Sequence, residues 1–137
     1  MATTTVSGEP FLEMLQGSGG GPGPGGAADV VVIDVREPHE LAGGRLQDSF
    51  AALGVTARYG EVALGDIVEG RALEMDDEAF SNTYGFEKPK SKDTVVFTCA
   101  AGVRSNVACQ VAGQQGFNDT VNYGGGWTEW VSMFHRH

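Results

Sequence analysis

Cys99 stands where an apolar run ends and a short glycine-containing loop begins. Residues 95–98 have the composition of a buried strand, and helical spacing of apolar residues begins at Ser105. Successive backbone N–H groups in such a loop can converge on one point, to which the following helix adds the positive end of its dipole. A cysteine sulfur at that point should have a lowered pKa and be a thiolate at neutral pH. The pattern therefore predicts a sulfur nucleophile that acts on an anionic substrate.

The loop after this cysteine supplies the candidate ligands for the anion. Its backbone N–H groups are neutral donors, and Arg104 is its only charged residue. A cation at the start of a helix opposes the helix dipole, so a nearby anion would explain its place, and we predict that Arg104 binds the substrate anion. The candidate substrate-binding residues are Ala100, Ala101, Gly102, Val103, Arg104 and Ser105.

The second cysteine and the three histidines do not suggest a second catalytic centre or a metal site. Cys109 lies in the middle of the predicted helix beside Ala108 and Val111, which favours a packed core thiol. The alternative is a thiol-redox pair with Cys99, and that alternative fails if Cys109→Ser leaves turnover intact. The histidines His39, His135 and His137 show no metal-ligand spacing with the cysteines, so we expect neither a metal nor another cofactor.

Composition limits the classes of function. A chain of 137 residues suits one domain, and a net charge of -9 argues against nucleic-acid binding. No run of eighteen apolar residues is present, and the start lacks the layout of a secretory signal or a mitochondrial presequence, so we expect no membrane span. Two cysteines fit a reducing compartment, which makes the cytoplasm the expected location.

The order of the predicted elements indicates how the cysteine is placed. Buried strands alternate with helices, which predicts a mostly parallel sheet covered on both faces, with ligands bound at the carboxyl ends of the strands. A glycine- and proline-rich connection at 17–26 follows the first helix, and residues 59–60 are expected to form a turn. The predicted helices span 6–16, 76–84, 105–115 and the segment after 126, and the predicted strands span 30–34, 62–64, 95–98 and 117–123.

Three motifs resemble those of single-domain rhodaneses, also called thiosulfate sulfurtransferases. They are Asp34-Val35-Arg36-Glu37-Pro38, the loop from Cys99 to Ser105, and Asn122-Tyr123-Gly124-Gly125-Gly126-Trp127-Thr128-Glu129-Trp130. Residues 84–89 also resemble small eukaryotic members that use glutathione as the sulfur acceptor. The resemblance implies a single rhodanese-like α/β domain over residues 28–137, preceded by a helix and flexible connection over 1–27. It also implies an insertion near residues 46–60, which would flank the mouth of the active site.

The same resemblance implies a sulfurtransferase. Cys99 would take the outer sulfur of thiosulfate, form a persulfide, and pass that sulfur to a thiol such as glutathione or to cyanide. No cofactor is implied, and the partners are a small sulfur donor and a small acceptor. Asp34 and Arg36 would brace the loops by hydrogen bonds, and Trp127 would form core or pocket wall.

Two other functions were compared with this one. A cysteine phosphatase or arsenate reductase needs five residues between its cysteine and arginine, whereas four separate Cys99 from Arg104, and the shorter loop suits one sulfur atom better than a phosphate. A non-catalytic rhodanese-like module that binds a protein partner usually lacks the cysteine, which is present here. The insertion near residues 50–59 keeps this second alternative open, since it could cover the site.

Overall fold

Five parallel strands form one sheet at the centre of the protein. They are β1 (Thr4–Val6), β2 (Val30–Asp34), β3 (Arg58–Glu61), β4 (Thr94–Thr98) and β5 (Asp119–Tyr123), arranged in the order β1-β5-β4-β2-β3. The helices are α1 (Gly8–Gly17), α2 (Pro38–Leu41), α3 (Leu64–Val68), α4 (Asp77–Tyr84), α5 (Val103–Gln114) and α6 (Gly126–Met133), with 3-10 turns at Leu46–Ser49 and Ala72–Glu74. This computed structural model describes residues 3–17 and 29–134, and it confirms the predicted parallel α/β fold.

Alternate residues of the central strands enter two separate cores, as the side-chain alternation of a strand requires. Ile33 and Phe97 face a core that α3, α4 and α5 complete, whereas Val32 and Val96 face a core completed by α1 and α6. Because both faces of β2 and β4 are buried, their sequences are continuous apolar runs. The parallel direction brings the carboxyl ends of the strands to one edge, where the cysteine loop begins.

Residues 3–17 belong to this sheet and core. Strand β1 pairs in parallel with β5, and Phe11 of α1 is fully buried, with its ring stacked on Tyr123 at 4.3 Å between centroids. The predicted helix at 6–16 is confirmed, but β1 was not predicted, because three residues are too short for a periodic pattern. The predicted division of the chain at residue 27 stays a prediction. Most of the glycine- and proline-rich connection, residues 18–28, lies outside the described residues.

Strand β3 replaces the turn predicted at residues 59–60. It is an edge strand that pairs with β2 alone, so polar residues are tolerated there and no apolar run marks it. Gly60 is needed because a Cβ at this position would collide with the ring of Phe86. The strand predicted at 62–64 is wrong, since Leu64 already begins α3.

The segment predicted as an insertion packs away from the cysteine. Phe50 and Val55 are buried in the core between the sheet and helices α1 and α6, where Phe50 lies 6.0 Å from Trp130 between ring centroids. Cys99 belongs to the core on the opposite face of the sheet. The apolar residues of the segment therefore pack into the core, and the expectation that the segment flanks or covers the active site stays a prediction.

None of the described helices combines the length and apolar character needed to cross a bilayer.

We expect Phe11→Ala to lower the free energy of unfolding by about 3–5 kcal/mol, because it removes a fully buried ring from the core on the α1 side. Chemical denaturation followed by tryptophan fluorescence measures this loss. Glu13→Ala, an exposed change on the same helix, is the control and should change stability by less than about 0.5 kcal/mol. Equal stability of both variants would mean that α1 is not part of the folded core.

Candidate active site

Two backbone N–H donors and one hydroxyl group converge on the sulfur of Cys99, which follows β4 directly. The N–H of Gly102 lies 3.1 Å from Sγ, the N–H of Ser105 lies 3.4 Å away, and the Ser105 hydroxyl lies 3.3 Å away. The cysteine is 1% exposed, so the sulfur sits at the bottom of the loop. Such converging amides stabilise negative charge at one point, as the sequence predicted.

Helix α6 holds this loop in its orientation. The N–H of Trp127 donates to the Cys99 carbonyl at 2.8 Å, and the N–H of Thr128 donates to the Ala100 carbonyl at 3.1 Å. In a trans peptide the N–H points opposite to the C=O. Binding the carbonyls from outside therefore turns the following N–H groups inward, and Ala101 N–H becomes a further donor to Sγ.

The loop ends at Gly102, whose backbone adopts a left-handed conformation. Its φ of 87° lies in the region that favours glycine, and a Cβ here would come within 2.5 Å of the Gly124 carbonyl oxygen. Because Gly102 has no side chain, the loop can lie in close contact with the β5–α6 connection. Val103, one residue later, begins α5 with its side chain 75% exposed, so it contributes only backbone to the site.

The surroundings of the sulfur favour the thiolate. Burial of the Cys99 thiol acts to raise its pKa, but hydrogen bonds from the Ser105 hydroxyl and from three backbone N–H groups outweigh that effect. The pKa of Cys99 therefore lies below its usual range. This direction favours the predicted thiolate, and the hydrogen bonds that cause it come from neutral groups.

Arg104 does not stand free for a substrate. Its guanidinium binds both oxygens of Glu40 from α2, at 2.7 and 2.9 Å, and this pairing lowers the pKa of Glu40 to about 2. The anion expected beside Arg104 is thus a carboxylate of the protein itself. Direct binding of substrate by Arg104 stays a prediction. Glu40 was not predicted as a site residue, because the sequence does not indicate which distant residue meets the arginine.

A second arginine ties the loops around the site together. Arg36 is 2% exposed and forms a bidentate pair with Asp34, with Nη2 donating to Oδ2 at 2.9 Å. Nη2 also donates to the Gly44 carbonyl at 2.9 Å, and the guanidinium lies 4.9 Å from the Trp127 ring centroid. These contacts join the end of β2 to α6, and the bracing role of Asp34 and Arg36 stays a prediction. The wall role of Trp127 stays a prediction.

Cys109 has an environment that opposes reactivity. It is fully buried in α5, and burial raises the pKa of its thiol to about 12. It is therefore a neutral thiol at physiological pH, in agreement with the predicted packed core position. Among the residues at 3–17 and 29–134, no group of three or more His, Cys, Asp or Glu is arranged to hold a metal.

Asn122 is a site residue whose role the sequence did not indicate. Its side chain is buried on the face of β5 that packs against the cysteine loop. Its Nδ2 donates to the Gly102 carbonyl at 3.2 Å, and its Oδ1 accepts from the Ser105 hydroxyl at 2.5 Å. Only its presence in the third motif marked it. Cys99 and Ser105 belong to one loop, whereas Asn122 belongs to another motif and meets them through the β4–β5 pairing.

Comparison with known proteins agrees with this architecture. The sequence is similar to a putative mitochondrial thiosulfate sulfurtransferase of Schizosaccharomyces pombe, 38% identical over 107 residues that cover 78% of this chain and 67% of the relative. It is 32% identical over 104 residues to a thiosulfate:glutathione sulfurtransferase of Saccharomyces cerevisiae, covering 76% of this chain and 66% of the relative.

The solved structure of the human single-domain sulfurtransferase TSTD1 superposes on this fold with a TM-score of 0.71 at 30% identity, covering 96% of this chain and 98% of the human one. The model of the rhodanese-like domain matches residues 24–133. With its motifs, its parallel sheet and its cysteine loop, the chain belongs to the rhodanese-like domain family.

Proposed function

We propose that this protein is a thiosulfate sulfurtransferase in which Cys99 carries the transferred sulfur. Its thiolate attacks the outer sulfur of thiosulfate, an S–S bond forms to Cys99, and the S–S bond of the donor breaks as sulfite leaves with the electron pair. An acceptor thiolate then attacks the outer sulfur of the Cys99 persulfide, and Cys99 leaves as a thiolate. The convergence of loop donors on Sγ carries this proposal.

The loop suits the charges of this reaction. The outer sulfur of a persulfide carries negative charge, and inward N–H groups held in place beforehand stabilise it without reorganisation. These donors are neutral, which matters in a chain of net charge -9 that repels small anions at long range. Local dipoles of the loop and the start of α5 therefore attract the donor, and Arg104 adds a charge that Glu40 partly offsets.

We propose a glutathione-like thiol as the preferred acceptor, with cyanide as an artificial one. The S. cerevisiae relative is named as a glutathione-using enzyme, and Tyr84 of the motif shared with such members lines a cavity of about 270 Å³. Arg36 and Arg45 line the same cavity, beside the loop end of β2. This polar cavity is next to residues that brace the cysteine loop, which favours it as the place for the acceptor.

We also propose a cytoplasmic location and small-molecule partners only. Both cysteines are free thiols in the described part of the chain, which suits a reducing compartment. The S. pombe relative is named as mitochondrial, so cell fractionation is the measurement that separates the two compartments.

Cys99→Ser should lose thiosulfate sulfurtransferase activity by at least about a thousandfold, because a serine hydroxyl is neither ionised at neutral pH nor able to form a persulfide. Turnover with cyanide and with glutathione as acceptors measures this loss. Cys109→Ala is the matched control, and it should keep turnover near the wild-type value, since the Cys109 thiol is neutral and buried.

Two results would contradict this proposal. A folded wild-type protein without turnover on either acceptor would favour a protein-binding module. Loss of turnover in Cys109→Ala, with the fold intact, would instead favour a redox pair of the two cysteines.

Glu40→Gln should lower the KM for thiosulfate by about threefold to tenfold, because it removes a negative charge next to the site while leaving an oxygen to accept from Arg104. The KM for a neutral organic trisulfide should stay unchanged. Glu37→Gln is an exposed neighbour with the same change in net charge, and it should leave both constants unaltered. An equal fall for the charged and the neutral donor would mean that Glu40 acts on loop shape and not on charge.

A further inference from the structure

The side chain of Asn122 is fixed in one orientation behind the cysteine loop. It is 3% exposed, and its Nδ2 donates to the Gly102 carbonyl at 3.2 Å. Reversing the amide would place two carbonyl oxygens against each other, so Oδ1 must be the atom that faces Ser105. At 2.5 Å from the Ser105 Oγ, this oxygen can only accept the hydroxyl proton.

Ser105 therefore has one proton and two possible acceptors. When Cys99 is a neutral thiol, its S–H can donate to Ser105 Oγ while Ser105 donates to Asn122, and every group is satisfied. When Cys99 is a thiolate, the single hydroxyl proton can be donated either to Sγ or to the Asn122 oxygen. All three side chains are buried, with exposures of 1% for Cys99, 0% for Ser105 and 3% for Asn122, so the unsatisfied acceptor is costly.

We propose that Asn122 is a positioning residue that competes with Cys99 for the Ser105 proton, so that a charged Sγ shares this hydroxyl with the Asn122 oxygen. The proposal rests on the proposed role of Cys99 as the sulfur carrier. Asn122 thus opposes the backbone donors of the loop and keeps the resting thiolate less stabilised than the loop alone would make it.

This arrangement separates the two steps of sulfur transfer. In the persulfide, Sγ is bonded to a second sulfur and is uncharged, so the Ser105 proton rests on Asn122. When the acceptor thiolate attacks the outer sulfur, the bond between the two sulfurs breaks and its electron pair passes to Sγ. The Ser105 hydroxyl is then shared between the leaving Cys99 thiolate and the Asn122 oxygen, and no proton is gained or lost overall.

The charged groups around Cys99 are the same in each state that the test compares. Arg104 of α5 is paired with Glu40 of α2, and Asp34 at the end of β2 is paired with Arg36. Glu129 of α6 accepts the hydroxyl proton of Tyr123. A change of the Cys99 titration in an Asn122 variant is therefore attributed to the Ser105 hydroxyl.

The test uses Asn122→Leu, which keeps the branching of the side chain at Cγ and removes the acceptor. The released Ser105 proton should donate to Sγ permanently, and the Cys99 pKa should fall by about one unit. Thiolate absorbance at 240 nm, titrated in a Cys109→Ala background, reads this without a reagent having to reach the buried sulfur. The acid limb of kcat/KM for thiosulfate should move down by the same amount.

The direction of the Cys99 pKa change distinguishes this proposal from a merely structural role of Asn122. The Gly102 carbonyl keeps its bond from the Asn106 N–H at 3.2 Å, but any loosening of the loop in the variant would weaken the donors to Sγ and raise the pKa. Asn122→Ala, with a smaller side chain, should give the same fall and serves if the leucine variant does not fold. A rise or no change of the pKa in a folded variant overturns the proposal.

A double variant shows whether the effect passes through Ser105. Ser105→Ala should raise the Cys99 pKa by about one unit, and adding Asn122→Leu to it should produce no further shift. A fall of the same size in the double variant would overturn the relay. Because the titration at 240 nm needs no turnover, a failure of this proposal is distinguishable from a failure of the proposed function, which would appear as an inactive wild type.

Discussion

The hydrogen bonds from the first turn of α6 to the carbonyls of Cys99 and Ala100 are the constraint on which the site depends. They orient the loop so that its N–H groups point at the sulfur, and other contacts near the site support that geometry. Gly126 begins α6 because a Cβ there would collide with these same carbonyl oxygens. Arg36 then locks α6 to the end of β2 by lying over the ring of Trp127. The sulfur is thus activated by backbone N–H groups whose orientation is fixed by α6.

The electrostatics of the site are local. Each arginine near the cysteine is matched with a carboxylate, Arg104 with Glu40 and Arg36 with Asp34, so neither pair adds net charge. Converging backbone dipoles act over a few ångströms and lower the pKa of Cys99 against the effect of its burial. A protein of net charge -9 can bind an anion in this way, because short-range donors do not depend on the long-range field.

The accuracy of the sequence predictions follows the burial of each element. Strands β2 and β4 have two covered faces, and their apolar runs identified them nearly to the residue. The edge strands β1 and β3 each have one neighbour, so they need no apolar run; β1 was not predicted and β3 was taken for a turn. The segment after Gly44 was expected at the mouth of the site because of the family resemblance. Its aromatic residue Phe50 packs against Trp130, a contact that depends on the facing helix.

The sequence by itself determined the fold class and pointed to Cys99 and its loop as the candidate nucleophile, because strand periodicity and the order strand, cysteine, glycine, helix are local properties. Only the tertiary structure decided what surrounds the sulfur. The partner of Arg104 is 64 residues away in sequence, and Ser105 meets Asn122 only because β5 lies beside β4. Such contacts depend on the positions of separate elements in space, for which no local pattern of residues carries a signal. The nucleophile can therefore be recognised from its neighbours in the chain, whereas its pKa is set by its neighbours in the fold.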